Sequence, residues 1–311
     1  MIKRAEKYNE AVFAESIGVA SVKSSVNMLL ELVKIRITVL VSFTTALGYF
    51  LAVKSPGFGF IYPSLGIFLL ACSSAALNQY QEYKTDLMME RTSKRPIPSG
   101  RITKSYALTV TLFLLAAGSA VLLLKANVPA LITGLVTFFW YNAVYTPLKK
   151  KTAIAIIPGS LVGALPPVAG WLAAGGNIAD FRITMVAAYF FVWQIPHFWL
   201  LLLLYGEDYK KAGFPVLTDK YSTGFIKAIT FSLLVATVLI AAAMPFAGIG
   251  HFAVSKILLG VFSAMMIYGS LRFFINKELS RKDIVKTFMA INLYTLILIT
   301  ILSADKLFSS I

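Results

Sequence analysis

The chain is poor in cysteine, histidine and charge. It has one cysteine, two histidines and 14 acidic residues among 311. A single cysteine, Cys72, excludes an intrachain disulfide and any metal site built from a cysteine cluster. Only 14% of residues are charged, where soluble domains carry about 25%. Hydrophobic residues make up 58% and the mean hydropathy is +0.76, more apolar surface than a soluble core of this length hides. The first thirty residues have Lys3, Arg4 and Lys7 but no apolar core followed by a small-residue cleavage site, so they do not read as a signal peptide. They are expected to form a cytoplasmic arm, 1–30, ahead of a single membrane domain, 31–311. The net charge of +15 would point to nucleic acid in a soluble protein. No basic, aromatic-interleaved soluble segment exists here, so nucleic acid is rejected as a partner.

What the chain has in abundance is long apolar runs. A helix needs about 20 mostly apolar residues to span a bilayer. Nine stretches qualify, near 36–53, 60–80, 107–125, 128–146, 153–174, 183–205, 226–247, 252–273 and 284–303. They are too long for barrel strands, and a lipid-embedded helix satisfies its own backbone. The expected fold is therefore an all-α polytopic membrane protein of about nine helices with the lipid bilayer as solvent. Of 29 lysines and arginines, Lys54, Lys125, Arg182, Lys256 and Lys306 fall on one side and the other 24 on the opposite side. By the positive-inside rule the N-terminus and the basic loops are cytoplasmic, in a cell membrane. The segments following the second and sixth spans are long and charged, which suggests functional loops. Their placement four spans apart hints at an internal duplication.

Five polar constellations stand out. Asn78, Glu82 and Asp86 are spaced i, i+4, i+8, so a continuous helix puts them on one face. Three oxygen donors there could hold Mg²⁺, which takes one or two carboxylates and completes its shell with phosphate and water; a solvated, mixed-charge helix end would have the same spacing. Next come Arg91, Lys94 and Arg95, then Pro96, Pro98 and Gly100, which fix a loop. Arginine forks and lysine point charges suit phosphate, although basic loops are ordinary on this side of a membrane. Tyr145 and Lys149 close the fourth span, where a tyrosine is also a common interface anchor. His197 lies inside the sixth span beside Pro196, which is expected to disrupt the helix there, with Asp208, Tyr209 and Lys210 following; polar groups inside a membrane are functional suspects, and a histidine is also a heme axial ligand. Gly159, Gly163, Pro166, Pro167 and Gly170 in the fifth span read as close packing and cavity shape.

These motifs together resemble the UbiA superfamily of intramembrane prenyltransferases. The block Asn78-xxx-Glu82-xxx-Asp86 with Arg91-Thr92-xx-Arg95-Pro96 is similar to its metal–diphosphate motif. Tyr145-Thr146-Pro147-Leu148-Lys149, Gly163-Ala164-Leu165-Pro166-Pro167, Pro196-His197-Phe198-Trp199 and Asp208-Tyr209-Lys210 are similar to its heme-farnesylating branch. The likeness runs from about residue 30 to the end. It departs at Glu82, where the family has Asp, which moves the carboxylate by about one methylene, and at Ala155, where a polar residue is expected. The second acidic motif of quinone prenyltransferases is absent, since Asp208 is followed by Ala212.

The resemblance implies transfer of a farnesyl group from farnesyl diphosphate to the 2-vinyl group of heme B, with water added, giving heme O. Asn78, Glu82 and Asp86 would hold Mg²⁺. Arg91, Lys94, Arg95 and Lys149, with Tyr145 and Arg36, would hold diphosphate. His197 and Lys34 would contact heme, and Asp208, Tyr209 and Lys210 would form a second cytoplasmic motif. A downstream heme-modifying enzyme or terminal-oxidase assembly is the implied protein partner. Three other readings stay open on sequence: a quinone-type aromatic prenyltransferase, a secondary transporter, and a non-catalytic assembly factor.

Overall fold

The computed structural model describes residues 25–55, 57–276 and 280–309. Most of the expected N-terminal arm, 1–24, lies outside the described residues; residues 25–32 form a short helix. Among the described residues there are nine helices long and apolar enough to cross a membrane, and no strand. Their main α-helical segments are α1 (Ile35–Ala52), α2 (Ile61–Leu87), α3 (Lys104–Lys125), α4 (Val128–Phe139), α5 (Leu161–Ala173), α6 (Phe181–Lys211), α7 (Thr223–Ala243), α8 (Ala253–Ile275) and α9 (Arg281–Phe308), with adjoining turns extending α4 and α5 to full spans, Val128–Leu148 and Ala153–Ala173. Helix α4 continues through a π-helical turn, Trp140–Tyr145, into Thr146–Leu148. Short helical turns at Ala153–Ala155 and Ile156–Gly159 lead into α5.

Local chemistry sets the starts of these helices. The side chains of Thr103, Asn127, Asp180, Ser222 and Ser280 each accept a hydrogen bond from a backbone N–H in the first turn. That satisfies donors which have no partner inside the helix. Helices α2 and α6 contain 27 and 31 residues. At 1.5 Å per residue both outrun the roughly 30 Å of hydrocarbon. The polar segments 81–87 and 206–211 are thus continuations of helix, not the loops their composition suggests. Pro196 does not interrupt α6 as expected; its non-helical residue is Tyr205, one turn from the basic end (φ −124°, ψ 19°).

The helices close into a ring. Helix α1 packs on α2, α5 and α9; α5 packs on α1, α4 and α6; α7 and α8 complete the wall between α6 and α9. Helix α5 is the most enclosed, while α3 and α4 turn most of their surface outward. Outward-facing side chains such as Phe113, Leu124 and Phe246 are large, apolar and exposed, which only a lipid solvent tolerates at this density. The main core lies between α6, α7, α8 and α9, around Tyr189, Leu234, Leu259 and Leu298.

The α1–α5 contact depends on two glycines. A Cβ on Gly48 would sit 1.9 Å from the Pro167 carbonyl oxygen, and one on Gly170 would sit 1.9 Å from that of Thr45. Backbones this close pack without intervening side chains. Gly170→Ala should lower stability by roughly 1–3 kcal/mol through overpacking, whereas Gly260→Ala, with open space around it, should change it by less than about 0.5 kcal/mol. Thermal unfolding in detergent checks both, and equal effects would refute the close contact.

Candidate active site

Helix α2 stays regular through residue 87, and this places Asn78, Glu82 and Asp86 on one inward face. All three are buried, at 1%, 4% and 1% exposure. Buried carboxylates need cations and donors, and three other segments supply them. Lys149 Nζ donates to Glu82 Oε2 at 2.7 Å. Arg95 Nη1 donates to Asp86 Oδ2 at 2.8 Å. Lys34 Nζ donates to the Asn78 carbonyl oxygen at 2.8 Å. The Asn78 amide then donates to Glu82 Oε2 at 2.9 Å and to Thr146 Oγ1 at 3.2 Å. Four parts of the chain meet at this face.

Backbone geometry aims each cation. Lys34 is the one described non-glycine residue in the left-handed region, with φ 52°, a conformation that costs energy and clusters at functional sites. Gln79 fixes the approach, donating its amide to the carbonyls of Glu31 and Leu32 at 2.9 Å. The π-helical turn before Thr146 brings both Thr146 and Lys149 to α2; such turns recur at functional sites. Its backbone is held by Gln81, whose amide donates to the Asn142 carbonyl at 3.1 Å. Arg95 follows the four-residue helix Glu90–Ser93, and Thr92 Oγ1 ties that segment to the Asp86 carbonyl at 2.9 Å.

The electrostatics follow from this crowding. Burial works against the Lys149 charge, but Glu82 outweighs it with help from the surrounding tyrosines, so its pKa stands above the usual lysine value. Lys34 has the opposite balance. Burial, then the nearby Arg95 and Lys149 charges, lower it to about 7 against the pull of Glu82 and Asp86.

One oxygen of each acid, Glu82 Oε1 and Asp86 Oδ1, is buried without a hydrogen-bond partner. Orphaned carboxylate oxygens on one face fit a hard cation. No group of three or more His, Cys, Asp or Glu that could hold a metal occurs among the described residues. The donor set is two carboxylates and an amide, which suits an ion that finishes its shell with phosphate and water.

An apolar cavity adjoins this cluster. Tyr145, Lys149, Ile156, Phe198, Tyr209 and Phe214 are among the residues lining it. Lys149 belongs to both, pairing with Glu82 while its ammonium lies 5.6 Å from the Tyr145 ring centre. Ala155, where the family pattern suggested a polar residue, lines it too. Toward the membrane interior, His197 is flanked by Trp193 at 4.6 Å and Phe288 at 4.9 Å, with its Nδ1 buried and unpartnered. Gln194, one turn earlier, fills the space left by Gly163, where a Cβ would lie 1.7 Å from its Oε1.

The remaining expected residues are more scattered. Arg91 makes no ion pair with the acids; its guanidinium lies 5.0 Å over the Tyr205 ring. Lys94 and Arg36 are exposed. Tyr209 reaches the cavity and packs on Phe214 at 5.4 Å. Lys210, in contrast, pairs with Asp219 at 2.7 Å on the surface, and the Asp208 carbonyl closes the end of α6 by accepting from Ala212. The sequence reading did not single out Thr146, Gln194 or Tyr205 as site residues. Thr146 lies within the Tyr145–Lys149 motif and Gln194 two residues before Pro196, whereas nothing in the local pattern marks Tyr205.

Among the described residues, nine helices long and apolar enough to cross a membrane form a ring with buried, cation-paired carboxylates at one end, the arrangement of a polytopic membrane protein. Residues 41–294 match the UbiA prenyltransferase family, and the chain belongs to it. A protoheme IX farnesyltransferase from Geobacter sulfurreducens is 44% identical over 153 residues, 49% of this chain and 56% of that protein. Protoheme IX farnesyltransferase 1 of Pseudomonas fluorescens is 37% identical over 68% of this chain and 72% of that protein. The chain thus aligns with little more than half the length of the first of these relatives. Among solved structures, a digeranylgeranylglyceryl phosphate synthase superposes with a TM-score of 0.73 at 17% identity, over 91% of this chain and 99% of that one. A UbiA homologue from Archaeoglobus fulgidus bound to GPP and Mg²⁺ superposes with a TM-score of 0.63 at 15% identity, over 89% and 99%.

The Lys34 environment generates a pH prediction. An unfolded chain keeps this lysine protonated up to about 10.4, whereas the folded protein releases the proton near 7. Between those values the unfolded state binds more protons, so this group makes stability rise with pH. Lys34→Met should flatten that rise in thermal unfolding measured from pH 7 to 9. An unchanged slope would remove Lys34 from the buried cluster.

Proposed function

We propose that this protein transfers a farnesyl group from farnesyl diphosphate to the 2-vinyl group of heme B, giving heme O and diphosphate at the cytoplasmic face of a cell membrane. One observation carries the reading: two buried carboxylates with orphaned oxygens stand at the end of an apolar cavity whose boundary is the cation Lys149. The names of the relatives from Geobacter sulfurreducens and Pseudomonas fluorescens support the reaction and its heme acceptor. The excess of basic residues on the loops at this end supports the orientation.

Asn78, Glu82 and Asp86 would hold Mg²⁺; the Archaeoglobus fulgidus homologue was solved with that ion and GPP, and the orphaned oxygens here fit it. When bound, the ion polarises phosphate oxygens and offsets the charge that builds on the leaving group. The protein's own cations act on the same charge. Lys149, Arg95 and Lys34 surround the carboxylates and can turn toward a diphosphate placed among them. As the allylic C–O bond breaks, its electron pair leaves with the diphosphate. Preorganised donors favour that charge most in the transition state. The allylic cation forms in the cavity, where Tyr145, Phe198 and Phe214 exclude water and offer ring faces to positive charge. The vinyl group attacks through its terminal carbon. The cation left beside the macrocycle takes a hydroxyl from water, which loses a proton. His197, with its unpartnered ring nitrogen, is the proposed heme contact.

Two outcomes follow. Asp86→Asn should cut Mg²⁺-dependent turnover by roughly 10²-fold or more while the protein remains extractable and folded. Mass analysis of heme after incubation with farnesyl diphosphate and Mg²⁺ reads this directly; unaltered product from the variant refutes the metal assignment, and product from a hydroxybenzoate but not from heme refutes the acceptor. His197→Ala should weaken heme binding more than farnesyl diphosphate binding in separate titrations. Equal losses for both ligands would make His197 structural.

A further inference from the structure

We propose that Arg91 and Arg281, converging on Tyr205, form a carboxylate-binding clamp for the two propionates of the acceptor heme. This assignment rests on the heme-acceptor reading above and extends it to a subsite. Arg91 comes from the short helix after α2, Tyr205 from the non-helical residue of α6, and Arg281 from the first turn of α9. The two guanidinium carbons lie 5.0 Å and 5.9 Å from the same ring centre. Neither arginine has an acidic partner among the described residues. An anionic ligand at Tyr205 would meet both positive charges. Each planar fork can take a carboxylate through two parallel hydrogen bonds. The amino-terminal end of α9 adds positive potential at Arg281.

The clamp is aligned with the proposed heme contact. Arg281 and Phe288 are seven residues apart on α9, so they share a face and stand about 10 Å apart along the axis. Phe288 lies against His197, while Arg281 lies over Tyr205. One wall therefore presents an imidazole in the membrane interior and two arginines at the mouth. That separation is comparable with the reach from a porphyrin centre to its propionate carboxylates. A diphosphate would instead be drawn to the carboxylate–cation network, from which neither Arg91 nor Arg281 receives a bond.

Optical titration of the full chain in nanodiscs with heme B and with heme B dimethyl ester tests the clamp. The esterified ligand should bind the unaltered protein roughly tenfold more weakly. Arg281→Gln should weaken heme B by about the same factor, leave the ester unchanged, and leave farnesyl diphosphate affinity unchanged; Arg281→Lys should recover part of the loss. Equal affinities for acid and ester in the unaltered protein would overturn the clamp without using a variant. So would Arg281→Gln that distinguishes acid from ester as well as the unaltered protein does. In both cases continued formation of farnesylated heme leaves the proposed function standing. Failure of the unaltered protein to bind or modify heme at all overturns both.

Discussion

Everything at the basic end of the bundle follows from placing two carboxylates where water cannot solvate them. An acid buried this deeply survives ionised only if cations and hydrogen-bond donors meet it. Glu82 draws in Lys149 from beyond α4, and Asp86 draws in Arg95 from the segment after α2. Asn78 completes the arrangement by taking Lys34 from the approach to α1. The helices are held apart by apolar packing elsewhere, but their register at this end is set by these pairs. A ligand carrying several negative charges can compete for the same cations, so the interactions that organise the folded protein are also those a diphosphate can enlist.

The ring architecture explains why this cluster sits beside an apolar cavity instead of open solvent. Helix α5 is drawn against α1 at Gly48 and Gly170, where backbone meets backbone. The short turns that precede it, Ala153–Ala155 and Ile156–Gly159, then lie against the end of α4 and the middle of α6. That small-residue packing closes the half of the bundle away from the acids, while the cavity lies between α4 and α6 beside them. Chemistry that forms a carbocation needs this adjacency: charge handling at one end and dry walls at the other.

Much of this was legible from residue order. The nine apolar runs gave the helix count, because lipid permits few alternatives to a helix of that length. The i, i+4, i+8 spacing put the three oxygen donors on one face, but could not separate a buried face, as found, from a solvated helix end. Ends and breaks were not legible. The polar extensions of α2 and α6 look like loops by composition, since hydropathy reports contact with lipid and not helicity. Pro196 looked like a kink but lies in regular helix, while the actual departure at Tyr205 has no proline to announce it. The roles of Lys34 and Arg91 could not be apportioned from sequence, because which of several nearby cations reaches which acid depends on backbone turns a residue pattern does not encode. Thr146 was hidden for the same reason: only the π-helical turn aims its hydroxyl at Asn78.

That turn has a consequence for how this chain can vary. A π-helical segment holds one residue more than the regular helix it interrupts. Every side chain beyond it is rotated by about 100° from the position uninterrupted periodicity would give. Lys149 lies beyond it, so its encounter with Glu82 is encoded in a residue count as much as in residue identity. Substitutions along Trp140–Tyr145 can be absorbed locally, but deleting one position would swing the lysine to another side of the helix and strand a buried acid. Relatives of this chain should therefore tolerate changes of letter in that stretch far better than changes of length.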